Sequence, residues 1–182
     1  MLLRHTLKDA SLEANAYHPR VLRLARLPAV LLLLVSPVAG CSSGQTPTFQ
    51  VTGASVDPTY WCPGGAANAK YDVHATVNVH NGTGSAVSIQ SINAEMKLVA
   101  VQGVWLEKVG DVYDAGSATF SPSTVGPGST TPVNVTITSA CTSDRYESGG
   151  SSHGDYSVTL HLVTSAGRFS VTTQNQHQIR GA

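Results

Sequence analysis

Tyr71-Asp-Val-His-Ala-Thr-Val-Asn-Val-His80 is the stretch on which the fold class turns. Tyr71, Val73, Ala75, Val77 and Val79 share one parity, while Asp72, His74, Thr76, Asn78 and His80 share the other. In an extended chain a period of two puts the first set on one face and the second on the opposite face. A helix would spread both sets around its circumference. The segment is therefore expected to be a strand with one buried and one wet face.

Working outward, the same alternation returns. Val133, Val135, Ile137, Ser139 and Cys141 line up against Asn134, Thr136, Thr138 and Ala140. Tyr156, Val158, Leu160 and Leu162 oppose Ser157, Thr159 and His161, and Phe169, Val171 and Thr173 begin a last strand. Earlier in the chain, Phe49 and Val51, with Ala54 and Val56, make a first strand. Residues 86–101 change parity between Val87/Ile89 and Ile92/Ala94/Met96/Leu98, which a bulge near Gln90-Ser91 reconciles. A short helix over residues 93–98 is the weaker alternative, because its flanks are β-branched. Trp105, Leu106 and Val109 suggest a further strand, and residues 118–120 a short one.

Turn chemistry separates these runs: Asn81-Gly-Thr-Gly84, Gly126-Pro-Gly128, Ser148-Gly-Gly-Ser151 and Ala166-Gly167. No long helical pattern remains. The expected fold is all-β, a single immunoglobulin-like antiparallel β-sandwich of seven to eight strands. The run Val77-Asn-Val-His-Asn-Gly-Thr-Gly-Ser-Ala-Val-Ser-Ile89, with Pro127-Gly128 and Val133-Asn-Val-Thr-Ile137, resembles the small Ig-like domains of exported bacterial lipoproteins, including the FxLYD type.

The N-terminal part has a different character. Arg20, Arg23 and Arg26 precede Leu27-Pro-Ala-Val-Leu-Leu-Leu-Leu-Val-Ser-Pro-Val-Ala-Gly-Cys41. The run is shorter than the roughly 20 apolar residues of a spanning helix and carries Pro28 and Pro37, so a cleaved leader is expected. Val38-Ala39-Gly40-Cys41 resembles the lipobox of bacterial lipoprotein precursors. The resemblance implies a diacylglyceryl group on the Cys41 thiol and cleavage just before it. Residues 1–40 are then a signal peptide, residues 41–47 an acylated cysteine and short tether, and residues 48–182 the Ig-like domain. The basic flank lies far from Met1, and Val21 is a second possible start of translation. Ser42-Ser-Gly-Gln-Thr-Pro47 reaches roughly 20 Å at most, which keeps the domain near its bilayer.

Formal charge is zero over the whole chain but is divided unevenly. The leader carries five basic and two acidic residues, leaving six basic and nine acidic in the remainder, a net −3. Such a domain has no electrostatic footprint for nucleic acid and gains nothing from anionic headgroups. Membrane attachment has to come from acyl chains, of which stable anchoring needs two. The expected location is the outer side of the bacterial cytoplasmic membrane, or the outer membrane where there is one.

In an exported chain the remaining cysteines, Cys62 and Cys141, are expected to form a disulfide. It would pin the loop of residues 58–68 to the end of the strand holding Cys141. Tyr60, Trp61 and Tyr113 are candidate binding residues, aromatics able to form a recognition surface if exposed. The competing expectation is that Trp61 packs over the disulfide.

Asp72, His74, His80 and His161 are the candidate metal ligands. His74 and His80 lie about 20 Å apart along a strand, too far to share an ion. Ser151-Ser-His-Gly-Asp155 holds the residue types of a hydrolytic triad but reads as a Gly/Ser-rich loop without a nucleophile elbow. No catalytic residue, metal site or cofactor is assigned. Asn81-Gly-Thr83 and Asn134-Val-Thr136 match glycosylation sequons, which arise often by chance. The functional expectation is a non-catalytic binding or structural module at the cell envelope, with an envelope protein as partner. A ligand- or metal-capturing accessory of a transport system is the alternative, and a small cell-wall hydrolase the less favoured one.

Overall fold

The computed structural model describes residues 48–64, 68–141 and 152–181. Cys41, the leader and the tether lie outside the described residues, as does Ser151. The elements, in chain order, are β1 (Phe49–Val56), β2 (Thr59–Cys62), β3 (Ala69–Asn81), β4 (Val87–Gln102) and β5 (Val112–Ser121). They continue with β6 (Thr124–Val125), β7 (Thr130–Cys141), β8 (His153–Thr164), β9 (Gly167–Thr172) and β10 (His177–Gly181).

These strands form the two layers of an Ig-like sandwich. The first layer runs β1-β3-β7 and ends on the last residues of β5; the second runs from the first residues of β5 through β4 and β8 to β10 and β2. Strand β9 follows β8 on the same margin as β10. All pairings are antiparallel except β10 with β2. The alternation in β3 buries Tyr71, Val73, Ala75, Val77 and Val79, and β7 opposes it residue for residue, Ala69 facing Cys141 and Val77 facing Val133. Ile92, Met96 and Leu98 of β4 and Leu160 and Leu162 of β8 project into the same core, each almost fully buried. Burial of a side chain of this kind is worth about 1.5–3 kcal/mol relative to exposure.

The parity slips are bulges. Register shifts between Val51 and Gly53 in β1, and between Ile89 and Ser91 in β4 against β8, so each strand keeps its apolar side inward across the irregularity. Residues 93–98 are strand, not helix.

Three expectations are corrected. Residues 103–111 form a turn-rich loop with no strand over Trp105, Leu106 and Val109. The expected loop at residues 58–68 contains β2, because Thr59–Cys62 find backbone partners along β10. The expected Gly/Ser loop is already β8 from His153 onward. The ten strands among the described residues exceed the expected seven to eight because β2, β6 and β10 are too short to carry a pattern.

β5 belongs to both layers. Val112–Ala118 pair with β4, and Thr119–Ser121 pair with β7. On the other side of the sandwich the layers close more tightly. Phe49 and Phe169 approach to 5.2 Å between ring centroids, and Asn175 exchanges hydrogen bonds with the backbone of Val56, Nδ2 donating to the carbonyl at 2.7 Å and Oδ1 accepting from the amide at 3.0 Å. The Cys62–Cys141 disulfide, with Cα atoms 5.9 Å apart, ties β2 in the second layer to β7 in the first.

Candidate functional site

The two ends of the sandwich differ in chemistry. At one end Gly82 donates its amide to the Thr48 carbonyl at 2.9 Å, so the chain enters the domain beside the turn after β3. Asn81 organises that end. Its Nδ2 donates to the carbonyls of Ser85 (2.9 Å), Val125 (3.0 Å) and Gly126 (3.1 Å), while its Oδ1 accepts from the amide and hydroxyl of Thr83. With 0% of its surface accessible, Asn81 cannot serve as a glycan acceptor in the folded domain.

The opposite end carries the β4–β5 loop. Among the described residues, the large apolar side chains that stand exposed are Trp61 and then Val101, Val104, Leu106, Val109, Val112 and Tyr113, all from this one loop and its flanks. The loop is nevertheless held in shape. Gly103 and Gly110 take positive φ values of 74° and 102°. The Val104 amide donates to the buried Ser152 Oγ at 3.1 Å, the Trp105 indole N–H donates to the Tyr156 hydroxyl at 3.1 Å, and the Lys108 amide donates to Asp111 Oδ2 at 2.8 Å. The Leu98 carbonyl accepts from Gly110 and the Leu98 amide donates to the Asp111 carbonyl, tying the far side of the loop to β4. Trp105 lies flat against Gly154, where an added Cβ would fall 2.6 Å from Cε2. An apolar surface held by this many fixed contacts loses little conformational entropy when a partner covers it.

A cleft of about 370 Å3 opens beneath this loop, lined by Met96, Leu98, Tyr156 and Ile179 of the second layer, by Ser139 and Ala140 of β7, and by Glu107, Asp111, Val112 and Tyr113. Its origin is the crossing of β5. Thr119–Ser121 hold β5 to β7 at residues 134–136, but Val112 onward follows β4, so the two layers part beside residues 137–141. Glu107 Oε2 is buried with no hydrogen-bond partner among the described residues.

Of the aromatic candidates, Tyr113 borders this cleft and is exposed. Tyr60 faces inward, stacked on Tyr71 at 3.8 Å, and Tyr71 in turn stacks on His177 at 6.1 Å. Trp61 does not pack over the disulfide. It is 53% exposed and has the Arg180 guanidinium 5.1 Å above its ring. Arg180 Nε donates to Gln178 Oε1, and Gln178 Nε2 donates to Asp155 Oδ1 at 2.8 Å, so a polar chain fixes the cation in place. Trp61 and Tyr113 stand at opposite margins of the second layer, four strand spacings or about 19 Å apart along the sheet, and do not form one surface.

The other constellations separate. His74 Nδ1 meets Asp57 Oδ2 at 3.0 Å rather than Asp72, and His161 lies in the other layer, 4.0 Å from Glu95. Among the described residues no three His, Cys, Asp or Glu side chains gather to hold a metal ion. Ser152 is buried, whereas His153 and Asp155, one strand face away, are 4.0 Å apart. Alternation along β8 thus turns the hydroxyl away from the imidazole.

His177 was not singled out from the sequence. Its Nδ1 lies 2.6 Å from the Asp57 carbonyl, which can only accept, so Nδ1 carries the proton. Nε2 is left buried without a partner among the described residues, and burial pushes the imidazole below its ordinary pKa. Glu107 was missed as well, since it stood inside a run taken for a strand. The flanking Gly103 and Gly110 were the available sign of a loop.

No family model and no curated protein matches this chain. Among solved structures it is similar to a late embryogenesis abundant protein (21% identity, 74% of this chain and 71% of that one, TM-score 0.39). It is also similar to PapD-like domain 7 of human CEP192 (16% identity, 85% and 96%, TM-score 0.30) and to AggA, the major subunit of aggregative adherence fimbriae type I from Escherichia coli (11% identity, 76% and 98%, TM-score 0.32). These likenesses concern the all-β fold and carry no argument about function.

Proposed function

We propose that the chain is an exported lipoprotein, anchored through acylated Cys41, whose Ig-like domain is a non-catalytic binding module working through the end remote from its tether. The observation that carries this reading is the placement of the exposed apolar loop. Residue 48 enters beside Asn81, whereas Val104, Leu106 and Val109 lie at the Ala69 end of β3. Thirteen residues of β3 separate the two ends by roughly 40 Å, about twice the reach of the tether. A loop so placed faces away from the bilayer, where an envelope protein can cover it. Net negative charge outside the leader supports attachment by acyl chains rather than by headgroup attraction.

Two measurements test the reading. Mass spectrometry of the membrane fraction should find a diacylglyceryl group on Cys41, and Cys41→Ser should release the protein from membranes. A photoreactive residue at Leu106 should give one dominant cross-linked envelope partner in cells, and the same group at Gly84 should give none. An unmodified Cys41 thiol, or equal labelling from both positions, overturns it.

A further inference from the structure

We infer that residues 137–141 of β7, beside the cleft under the β4–β5 loop, accept an extended segment of a partner protein as an added strand, with apolar side chains of that segment entering the cleft. This inference rests on the reading of the loop end as the binding end and adds the form of the partner.

Strand β7 is bonded unequally on its two sides. β3 pairs with it from Thr130 to Cys141, whereas β5 pairs with it only at Asn134, Val135 and Thr136. From Ile137 to Cys141 no strand among the described residues bonds the side away from β3. Val112–Ala118 of β5 follow β4, so they too lack a strand on the side turned toward β7. Backbone N–H and C=O groups along such a margin are a template for another extended chain.

Other margins of the sandwich are guarded. β1 is closed by Gln174, whose amide donates to the Ala54 carbonyl at 2.9 Å, and by Asn175, which bonds the Val56 backbone in both directions. β9 packs Phe169 against Phe49 of β1 and carries Arg168. β2 offers four residues between Pro58 and Pro63, with Arg180 over Trp61. Charges, prolines, bulges and covering segments are the devices that keep a strand margin from pairing. Ile137-Thr-Ser-Ala-Cys141 has no charge and no proline, and its register with β3 is regular.

The cleft selects what the added strand carries. Met96, Leu98, Tyr156 and Ile179 are buried residues that line its volume of about 370 Å3. Alternate side chains of an extended chain share a face, so a strand paired to β7 sends every second side chain toward this lining and the rest toward solvent. Apolar residues at every second position fit that wall. A small apolar molecule could fill the cleft but would leave the β7 backbone groups without partners; an extended peptide serves both.

Binding of an acetylated, amidated Lys-Thr-Ile-Thr-Ile-Thr-Lys peptide to residues 42–182, followed by calorimetry and amide hydrogen exchange, tests the inference. Those amides of residues 137–141 that are not bonded to β3 should exchange freely in the protein alone and slow by about tenfold or more with the peptide. An analogue with esters in place of its three central amide links keeps the side chains and loses the N–H donors, and should bind about tenfold more weakly. Rearranged Lys-Thr-Thr-Ile-Ile-Thr-Lys cannot put both isoleucines on one face and should also bind about tenfold more weakly. Equal binding of the ester analogue, slowing at Thr59–Cys62 instead of residues 137–141, or no binding of the parent peptide overturns the inference. Exchange at residues 137–141 that is already slow in the protein alone, and slower as its concentration rises, assigns the margin to a second copy and overturns it too. If any of these occurs while Leu106 still cross-links to one partner, the binding-end reading stands and only strand addition fails.

Discussion

At the scale of single residues, His177 links the fold to pH. Burial disfavours the charged imidazole, Nδ1–H donates to the Asp57 carbonyl, and among the described residues nothing would accept a hydrogen bond from a proton on Nε2. The folded pKa is therefore below the unfolded one. As pH falls from above about 6.5 toward the folded value, the unfolded chain binds a proton that the native chain does not, and stability declines. His177→Gln keeps a donor for Asp57 but cannot titrate. We expect it to cost about 1 kcal/mol at pH 7.5 and to show a smaller loss of melting temperature between pH 7.5 and 5 than the wild type. An unchanged pH slope in the variant would place the acid sensitivity elsewhere. The cysteines were legible as a pair because only two remain once Cys41 is set aside in a chain expected to be exported. His177 was not, since its burial depends on β10, a five-residue strand that has meaning only beside β2 and β8.

At the scale of elements, long alternating strands could be read from the sequence and the loop that matters could not. β3, β7 and β8 announced themselves because one face of each is buried over many residues. Trp105, Leu106 and Val109 suggested a strand because apolar residues usually go inside; here Trp105 alone turns in, while Leu106 and Val109 remain 58% and 60% exposed. What holds the loop is a contact of aromatic plane against backbone, permitted by the missing side chain at Gly154. Gly154→Ala would put a methyl inside the indole's contact distance. Overpacking of this kind typically costs about 1–3 kcal/mol. We expect a loss of that size in chemical denaturation, with Trp105 emission shifted to the red in the native state and the dominant Leu106 cross-link lost. A native emission spectrum identical to wild type would show that the contact does not position the loop.

At the scale of the whole molecule, the strand β5 itself passes from one layer to the other, and the Cys62–Cys141 disulfide adds a crosslink between them. The class of the fold and the disulfide were both legible in the sequence. The crossing of β5 was not, because residues 112–118 lack an alternating pattern and their pairing is decided by long-range partners. The disulfide joins residues 79 apart, and closing a loop of that length in the unfolded chain should stabilise the domain by about 4.5 kcal/mol in the chain-entropy model. Cys62→Ala with Cys141→Ala should lower the urea-denaturation free energy by about 2–5 kcal/mol. A loss below about 1 kcal/mol would mean that the packed layers confine the chain without the crosslink. Entry of the chain at β1 has a mechanical consequence. β1 runs antiparallel to β3 from Phe49 against Asn81 to Val56 against Ala75, along the axis that separates the two ends. A pull applied at residue 48 while the opposite tip is held loads these rungs together in shear, so they share the tension instead of unzipping one by one.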